Sequence, residues 1–393
     1  MPEKLPQRKF SHKRICLITN RYPTFPDDVA SPFVRDFHLG LKEKGVEVSV
    51  FTPYYQSERV DWTEDVIRFC WLGGKKVVGN LNLLNPLEMV QLFSFLRNGK
   101  RQLFEHLKSA GPESCLALWA LPSGWFAYQA KRKLGIPYSV WCLGSDIYVW
   151  ANKPILRGLI QKILQEADHL FADGFDLKEK VEKLSGKKCT FLPSMRKLSL
   201  TFEGKEQLDS YRFNFLYVGR WEKEKGLGDL IQAFNILSRQ LSTVNLYILG
   251  WGGFEEEIRM QIRNLNLEEH IKIIGRVSTS SVANYMEQAD CMVIPSKGDS
   301  IPLVLSEALQ MGTPLIVTDV GDMGYLVRRF KLGKVVIPGD VNGLAQAMIE
   351  FVQEDNDYSK NIPEALKLLD IENAVNDYLN TLTPQTTPVS VLS

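Results

Sequence analysis

The sequence has no uninterrupted apolar run approaching about 18 residues, so no segment is expected to span a bilayer. Its six cysteines (16, 70, 115, 142, 189 and 291) form no C-x-x-C pair and no metal-ligand spacing. Cys16, Cys115 and Cys291 fall in apolar, strand-like runs, where a free thiol behaves as a small hydrophobe. This usage argues against a disulfide framework or a structural metal and for a reduced, cytoplasmic protein. No G-x-x-x-x-G-K-[ST] phosphate loop occurs, which removes the P-loop nucleotidases. The lone D-x-D, Asp355-Asn356-Asp357, lies in an acidic helix-like stretch and reads as a solvated face, so no metal is expected. With only five histidines, no compact Ser/His/Asp or Cys/His arrangement stands out. The N-terminus, MPEKLPQRKFSHKR, is polar and basic and lacks the apolar core of a secretory signal. No internal repeat is visible.

What is present points to two domains, because 393 residues exceed what one typical core serves. The net charge of +1 hides an asymmetry: residues 1–200 hold 30 Lys and Arg against 20 Asp and Glu, and the remainder 17 against 26. A basic half of this kind favours an anionic partner, such as a lipid phosphate, a membrane surface or nucleic acid. No nucleic-acid module accompanies the charge, so nucleic acid is not expected as a partner.

Arg14 to Thr19 reads as a buried parallel strand. A loop over 20–31, a helix over Pro32 to Lys44 closed by Gly45, and a strand over Val46 to Phe51 follow. This alternation predicts an open α/β sheet that binds ligands at the carboxyl ends of its strands. After a polar linker over 196–210, Phe213 to Val218 opens a second domain of the same kind. Leu81 to Leu107 reads as an apolar loop running into a helix, with Leu83, Leu84, Met89, Leu92, Phe93 and Leu96 close together and Lys100 and Arg101 next. Core packing explains that pattern more cheaply than peripheral contact with an anionic membrane, which the basic residues also admit.

The segment 289–324 organises the second domain: a strand at Cys291 to Ile294, a polar turn at Pro295 to Ser300, and an amphipathic helix from about Pro302. Ser300 is placed to cap that helix, with Pro302 in its first turn. The free N–H groups and positive dipole end of such a helix suit a phosphate. Asp299 and Glu307 bracket its start, and the rise from Pro302 to Glu307 is about 7.5 Å. A ligand lying along the helix would have phosphate at its end and hydroxyl-bearing groups near each carboxylate, the layout of a nucleotide-sugar.

PSKGDSIPLVLSEALQMGTPLIVTDVG, within this segment, resembles the signature of the retaining glycosyltransferases of family 4, among the glycosyl transferases group 1. The resemblance implies a GT-B fold: α/β, two Rossmann-like domains whose parallel sheets face a central cleft. The implied boundaries are residues 1–200 for an acceptor-side domain and 201–362 for a nucleotide-sugar domain. A helix over 363–382 returns towards the first domain, and 383–393 form a tail. GRWEKEKG resembles the family's G-R-x-x-x-x-K-G, which assigns Arg220 and Lys225, beside Gly219, to the donor diphosphate. Two fixed cations there stabilise the charge left when the sugar–phosphate bond breaks. The alternative for these two is a surface ion pair with Glu222 or Glu224. Gly250 falls at the family's glycine turn, and IKIIGRV resembles its base-recognising segment, implicating Arg276 and Val277. Asp299, standing where the family has Glu, would meet the sugar hydroxyls and Glu307 the ribose. Ser300 and the amides near Ile301 and Leu303 would meet phosphate or sugar.

The first half departs more from the pattern. In CLGSD, which resembles the family's H-G-x-D, Leu143 replaces the histidine near the reacting carbon. Asp146 is the local candidate for its role, with a helix N-cap as the alternative. Gly174 and Ser194-Met195 differ from the family residues, and Ser31-Pro32 occupies a loop that often carries glycines. The resemblance implies a metal-independent hexosyltransferase without a cofactor. Its donor would be a nucleotide-sugar, a UDP-sugar first and a GDP-sugar second, and its acceptor a glycan or lipid-linked hydroxyl. A nucleotide-sugar-binding subunit with impaired catalysis, or a sugar-nucleotide epimerase of the same fold, stays open.

Overall fold

The computed structural model describes residues 13–25, 28, 30–56, 63–82, 84–198 and 207–382. Residues 1–12, Leu83, linker residues 199–206 and the tail 383–393, all read above from sequence, lie outside them. The chain divides into two compact units, residues 1–194 with 371–393, and residues 195–370.

The first unit runs β1 (Arg14–Ile18), α1 (Pro32–Glu43), β2 (Glu47–Pro53), β3 (Val66–Phe69), α2 (Pro86–Ala110), β4 (Ser114–Leu118), α3 (Trp125–Leu134), β5 (Tyr138–Cys142), α4 (Pro154–Glu166), β6 (His169–Ala172), α5 (Phe175–Ser185) and β7 (Thr190–Phe191). The second runs β8 (Phe213–Arg220), α6 (Leu227–Ser238), β9 (Val244–Trp251), α7 (Glu255–Asn264), β10 (Ile271–Gly275), α8 (Thr279–Gln288), β11 (Cys291–Ile294), α9 (Leu303–Gln310), β12 (Leu315–Thr318), α10 (Met323–Phe330), β13 (Gly333–Val336), α11 (Val341–Gln353) and α12 (Ile362–Leu368). Finally α13 (Ile371–Thr381) joins the first unit.

Each unit is a Rossmann-like α/β layer structure around one parallel sheet, in the orders β3-β2-β1-β4-β5-β6-β7 and β10-β9-β8-β11-β12-β13. Helices cover both faces of such sheets, so central strands are apolar throughout. Every residue of β5 and β11 is buried. Helix ends follow local chemistry: Asn85 caps α2 by accepting from the Leu87 amide at 3.0 Å, with Pro86 in the first turn and Gly111 in the left-handed region at the other end.

The helix expected over 363–382 is two helices. α12 stays with the second unit, while α13 packs on α1, with Val375 facing Gly40 and Tyr378 edge-on to Phe37 and Phe171 at 5.6 and 5.4 Å. All six cysteines are free, and only Cys70 among them is exposed.

A buried polar chain ties the loop after β1 to α1. The Tyr22 hydroxyl lies 2.8 Å from His38 Nδ1, and His38 Nε2 faces Asp65 Oδ2 at 3.4 Å. Burial lowers the His38 pKa to about 4, although the Asp65 charge pulls it upward. The folded state therefore resists protonation that the unfolded chain accepts near pH 6.5, so stability falls as pH drops from about 6.5 towards 4. Asp65, held below its usual pKa by Lys42, acts in the same direction lower down. We expect His38→Gln to flatten this acid limb of the denaturation-midpoint profile. An unchanged pH slope would assign the acid sensitivity elsewhere.

Candidate functional site

In the second unit the strand order reverses at β8, which lies between β9 and β11. Ligand crevices of open parallel sheets form at the carboxyl ends of strands at such a point. Gly219 pairs with Gly250, and Arg220 with Trp251, along the ends of β8 and β9. Gly250, at φ +124°, has no room for a Cβ, which would strike the Gly219 carbonyl. Gly226, at φ +72°, is equally constrained, because a Cβ would run into the carbonyl of Pro295 just after β11. These two glycines let the turn after β8 lie flat against its neighbours.

That close approach is fixed by backbone bonds. The Glu224 carbonyl accepts from the Lys297 amide at 2.7 Å and from Ser296 Oγ at 3.3 Å. The arrangement delivers Lys225 Nζ to both carboxylate oxygens of Asp299, at 2.7 and 2.9 Å, with both side chains largely shielded. Arg220 stays 61% exposed and pairs with Glu222 at 2.8 Å, so this arginine carries the surface ion pair weighed from sequence while Lys225 does not. The Tyr217 hydroxyl donates to the Arg220 carbonyl at 3.0 Å. Burial first, and then the charge of Asp299, raise the Tyr217 pKa, so it remains a protonated donor.

Ser300 does not cap α9. Pro302 occupies the cap position with an extended backbone and no side-chain bond, while Ser300 Oγ lies 3.5 Å from Asp322 Oδ2 and its carbonyl accepts from the Asp322 amide. The chain must leave the Asp299 turn in an extended conformation before it can coil, which displaces the helix start to Leu303. The first amides of a helix point past its end without an intrahelical partner, although that of Leu305 already donates to the Pro302 carbonyl at 3.0 Å. Ile301, just before the helix, is buried.

Glu307, one turn into α9, is buried and ion-paired to Arg196 Nε at 3.3 Å. Gln310 clasps the same segment, donating to the Arg196 carbonyl at 2.7 Å and accepting from the Leu198 amide at 3.0 Å. Sequence reading placed Arg196 in a polar linker, and no local signal marks it as the partner of an acid 111 positions later. Arg276, followed by Val277 after β10, lays its guanidinium over the Trp251 ring at 4.7 Å. Trp251 was also missed, although its place directly after Gly250 puts it at a strand's carboxyl end.

In the first unit the order reverses at β1, between β2 and β4. Asp146 is fully buried and is not a helix cap: its Oδ2 accepts from the Ala120 amide at 2.8 Å, bracing the turn after β4 from the turn after β5. Burial raises its pKa against the pull of that amide. The braced turn includes Trp119, a non-glycine residue at φ +70°, and Ser123, which donates to Asn20 Oδ1 at 2.7 Å. Asp146→Asn retains an acceptor for Ala120 and is expected to leave turnover and melting temperature nearly intact. Asp146→Leu strands the amide and costs about 1–3 kcal/mol. Collapse of turnover in a folded Asp146→Asn variant would instead give the carboxylate a chemical role.

Two Rossmann-like units of these topologies have the architecture of the GT-B glycosyltransferases. Residues 199–367, the larger part of the second unit, match the model of the glycosyl transferases group 1. An uncharacterized glycosyltransferase of Methanocaldococcus jannaschii is 25% identical over 67% of this chain and 72% of its own length. The Bacillus subtilis protein TuaC, a putative teichuronic acid biosynthesis glycosyltransferase, is 29% identical over 62% of each chain. Among solved structures, sucrose-phosphate synthase from Thermosynechococcus elongatus superposes with a TM-score of 0.74 at 19% identity, covering 94% of this chain and 98% of that one. Anabaena Alr3699/HepE in complex with UDP-glucose gives 0.68 at 14% identity, covering 94% and 100%.

Proposed function

We propose that the protein is a retaining, metal-independent hexosyltransferase of the cytoplasm, taking a nucleotide-sugar, UDP-linked first and GDP-linked second, to an acceptor hydroxyl on a glycan or lipid-linked precursor. The observation that carries this reading is the Lys225–Asp299 pair beside Arg220 at the carboxyl ends of β8 and β11. An ammonium has three donor hydrogens, so Lys225 can remain on Asp299 while giving one to a phosphate oxygen. Asp299 in turn keeps acceptor capacity for sugar hydroxyls. Sugar and diphosphate are thereby read by one coupled pair.

Arg220 exchanges Glu222 for the diphosphate as charge develops on the leaving group, and the two cations supply the stabilisation that a metal supplies elsewhere. The α9 amides and the Gly219–Gly250 backbone complete the phosphate contacts. Glu307 holds the ribose, and Arg276 and Val277 receive the base beside Trp251. UDP-glucose bound to the Anabaena protein supports a uridine donor, and the named role of the Bacillus subtilis relative supports a polysaccharide or glycoconjugate product. Asp146 acts as a positioning residue for the turn that carries Trp119.

The reading is tested by the anomeric configuration of the product. Proton NMR of the first-formed glycoside should show the donor's own configuration, at a rate unchanged by EDTA. An inverted anomer overturns the retaining assignment, and loss of activity with EDTA overturns the metal-free one.

A further inference from the structure

The long helix α2 has an outer face that the donor reading does not use. Its inner face is buried through Phe95, Gly99, Leu103 and Leu107, as an amphipathic helix requires. Beyond that need, Leu84, just before the helix, and Leu87, Met89, Val90 and Phe93 in its first turns are each between 52% and 92% exposed. Leu72, 69% exposed, extends the patch from the preceding loop, whose backbone is tied to the helix by the Leu72 amide donating to Ser94 Oγ at 3.1 Å. The same loop is fastened again at the helix start, where Lys76 and the Asn82 amide both bond the Glu88 carboxylate. These side chains are therefore presented on a fixed frame.

The apolar stripe does not end in neutral surface. Val90, Phe93, Arg97 and Arg101 succeed one another at intervals of three and four residues, which places them on one face. Lys100 lies beside them. Between Met89 and Phe104 the sequence contains no Asp or Glu. The first acid on this side is Glu105, 3.9 Å from Arg101. Core packing, the cheaper explanation from sequence, does not cover Leu84, Met89 or Phe93.

An apolar patch followed along one helix face by cations, in the half of the chain with the positive excess, matches the chemistry of a bilayer surface rich in anionic lipid. Apolar side chains enter the acyl boundary, and the arginines reach phosphates at headgroup level. A second copy of the chain fits less well, because a self-paired face would bring Arg97 and Arg101 against their own kind.

We propose that this face of α2, with Leu72, docks the protein on an anionic membrane surface. Resting on the transferase reading above, it follows that the acceptor is the headgroup of a lipid carrier lying in that surface.

Flotation of the full chain with vesicles is the test. Wild type should float with phosphatidylcholine vesicles containing about one-third phosphatidylglycerol, and at least tenfold less with phosphatidylcholine alone or at high salt. The double variant Val90→Asn/Phe93→Asn should lose flotation, and Arg97→Gln/Arg101→Gln should lose the preference for phosphatidylglycerol. Both variants should bind UDP as wild type does by calorimetry, which shows that they are folded. Equal flotation of wild type and the Val90/Phe93 variant overturns the proposal. So does a dimer in sedimentation velocity that those substitutions dissociate, since the face would then join two copies. Flotation without UDP binding in any form would retain the docking surface and overturn the donor reading instead.

Discussion

Arg220→Ala and Lys225→Ala should each lower kcat with a UDP-sugar donor by about 10²–10³. The two losses differ in origin. The Arg220 side chain is exposed and pairs with Glu222, so its removal disturbs little packing and deletes one charge facing the diphosphate. The variant should fold normally and lose turnover more than donor affinity. Lys225 is shielded and bonded to both oxygens of Asp299. Its removal also leaves that acid without its cation, so Asp299 would repel the phosphate and hold the sugar hydroxyls in altered geometry. Lys225→Ala should therefore raise KM as well as lower kcat. Asp299→Glu, which adds one methylene, should shift sugar preference more than nucleotide affinity. Near-normal kinetics in both alanine variants would remove the diphosphate assignment.

Glu307→Ala should destabilise the second unit by about 3–5 kcal/mol, read from the denaturant midpoint of its unfolding transition. The reason is the guanidinium left behind: Arg196 is largely shielded, with 11% of its side chain exposed, and its carbonyl is held by Gln310, so it cannot easily withdraw to water. Breaking a buried pair by removing one partner costs more than replacing both with apolar groups of similar volume. Arg196→Met/Glu307→Leu should accordingly recover most of the stability while losing nucleotide affinity, separating the structural role of Glu307 from its proposed ribose contact. A loss below about 1 kcal/mol in Glu307→Ala would place the pair among weak surface contacts.

Much of this architecture was legible because parallel strands buried on both faces leave continuous apolar runs, and glycine turns mark their ends. The strand over Cys291 to Ile294 reads from sequence with the bounds that the structure has. The two acids bracketing the start of α9 and the cations at the end of β8 were equally visible as residues. Their pairing was not. Lys225 and Asp299 are 74 positions apart and meet only because β8 and β11 are neighbours in the sheet. Arg196 was hidden by its polar surroundings, since a charge in a linker-like stretch looks the same whether solvated or buried. Ser300 looked like a cap because its residue type and spacing were right, but the extended backbone through Pro302 moves the helix start beyond it. Exposure of the α2 stripe could not be read either, because apolar spacing is identical on a covered and an uncovered helix.

The central claim is that the carboxyl ends of β8 and β11 form a nucleotide-sugar site that needs no metal. Calorimetric titration of the full chain with UDP, GDP, ADP and their sugars in the presence of EDTA tests it most directly. The account predicts saturable binding of one nucleotide and its sugar, UDP foremost, with affinity reduced in Arg220→Ala. Absence of binding by every nucleotide, or binding that Arg220→Ala and Lys225→Ala leave unchanged, would contradict it.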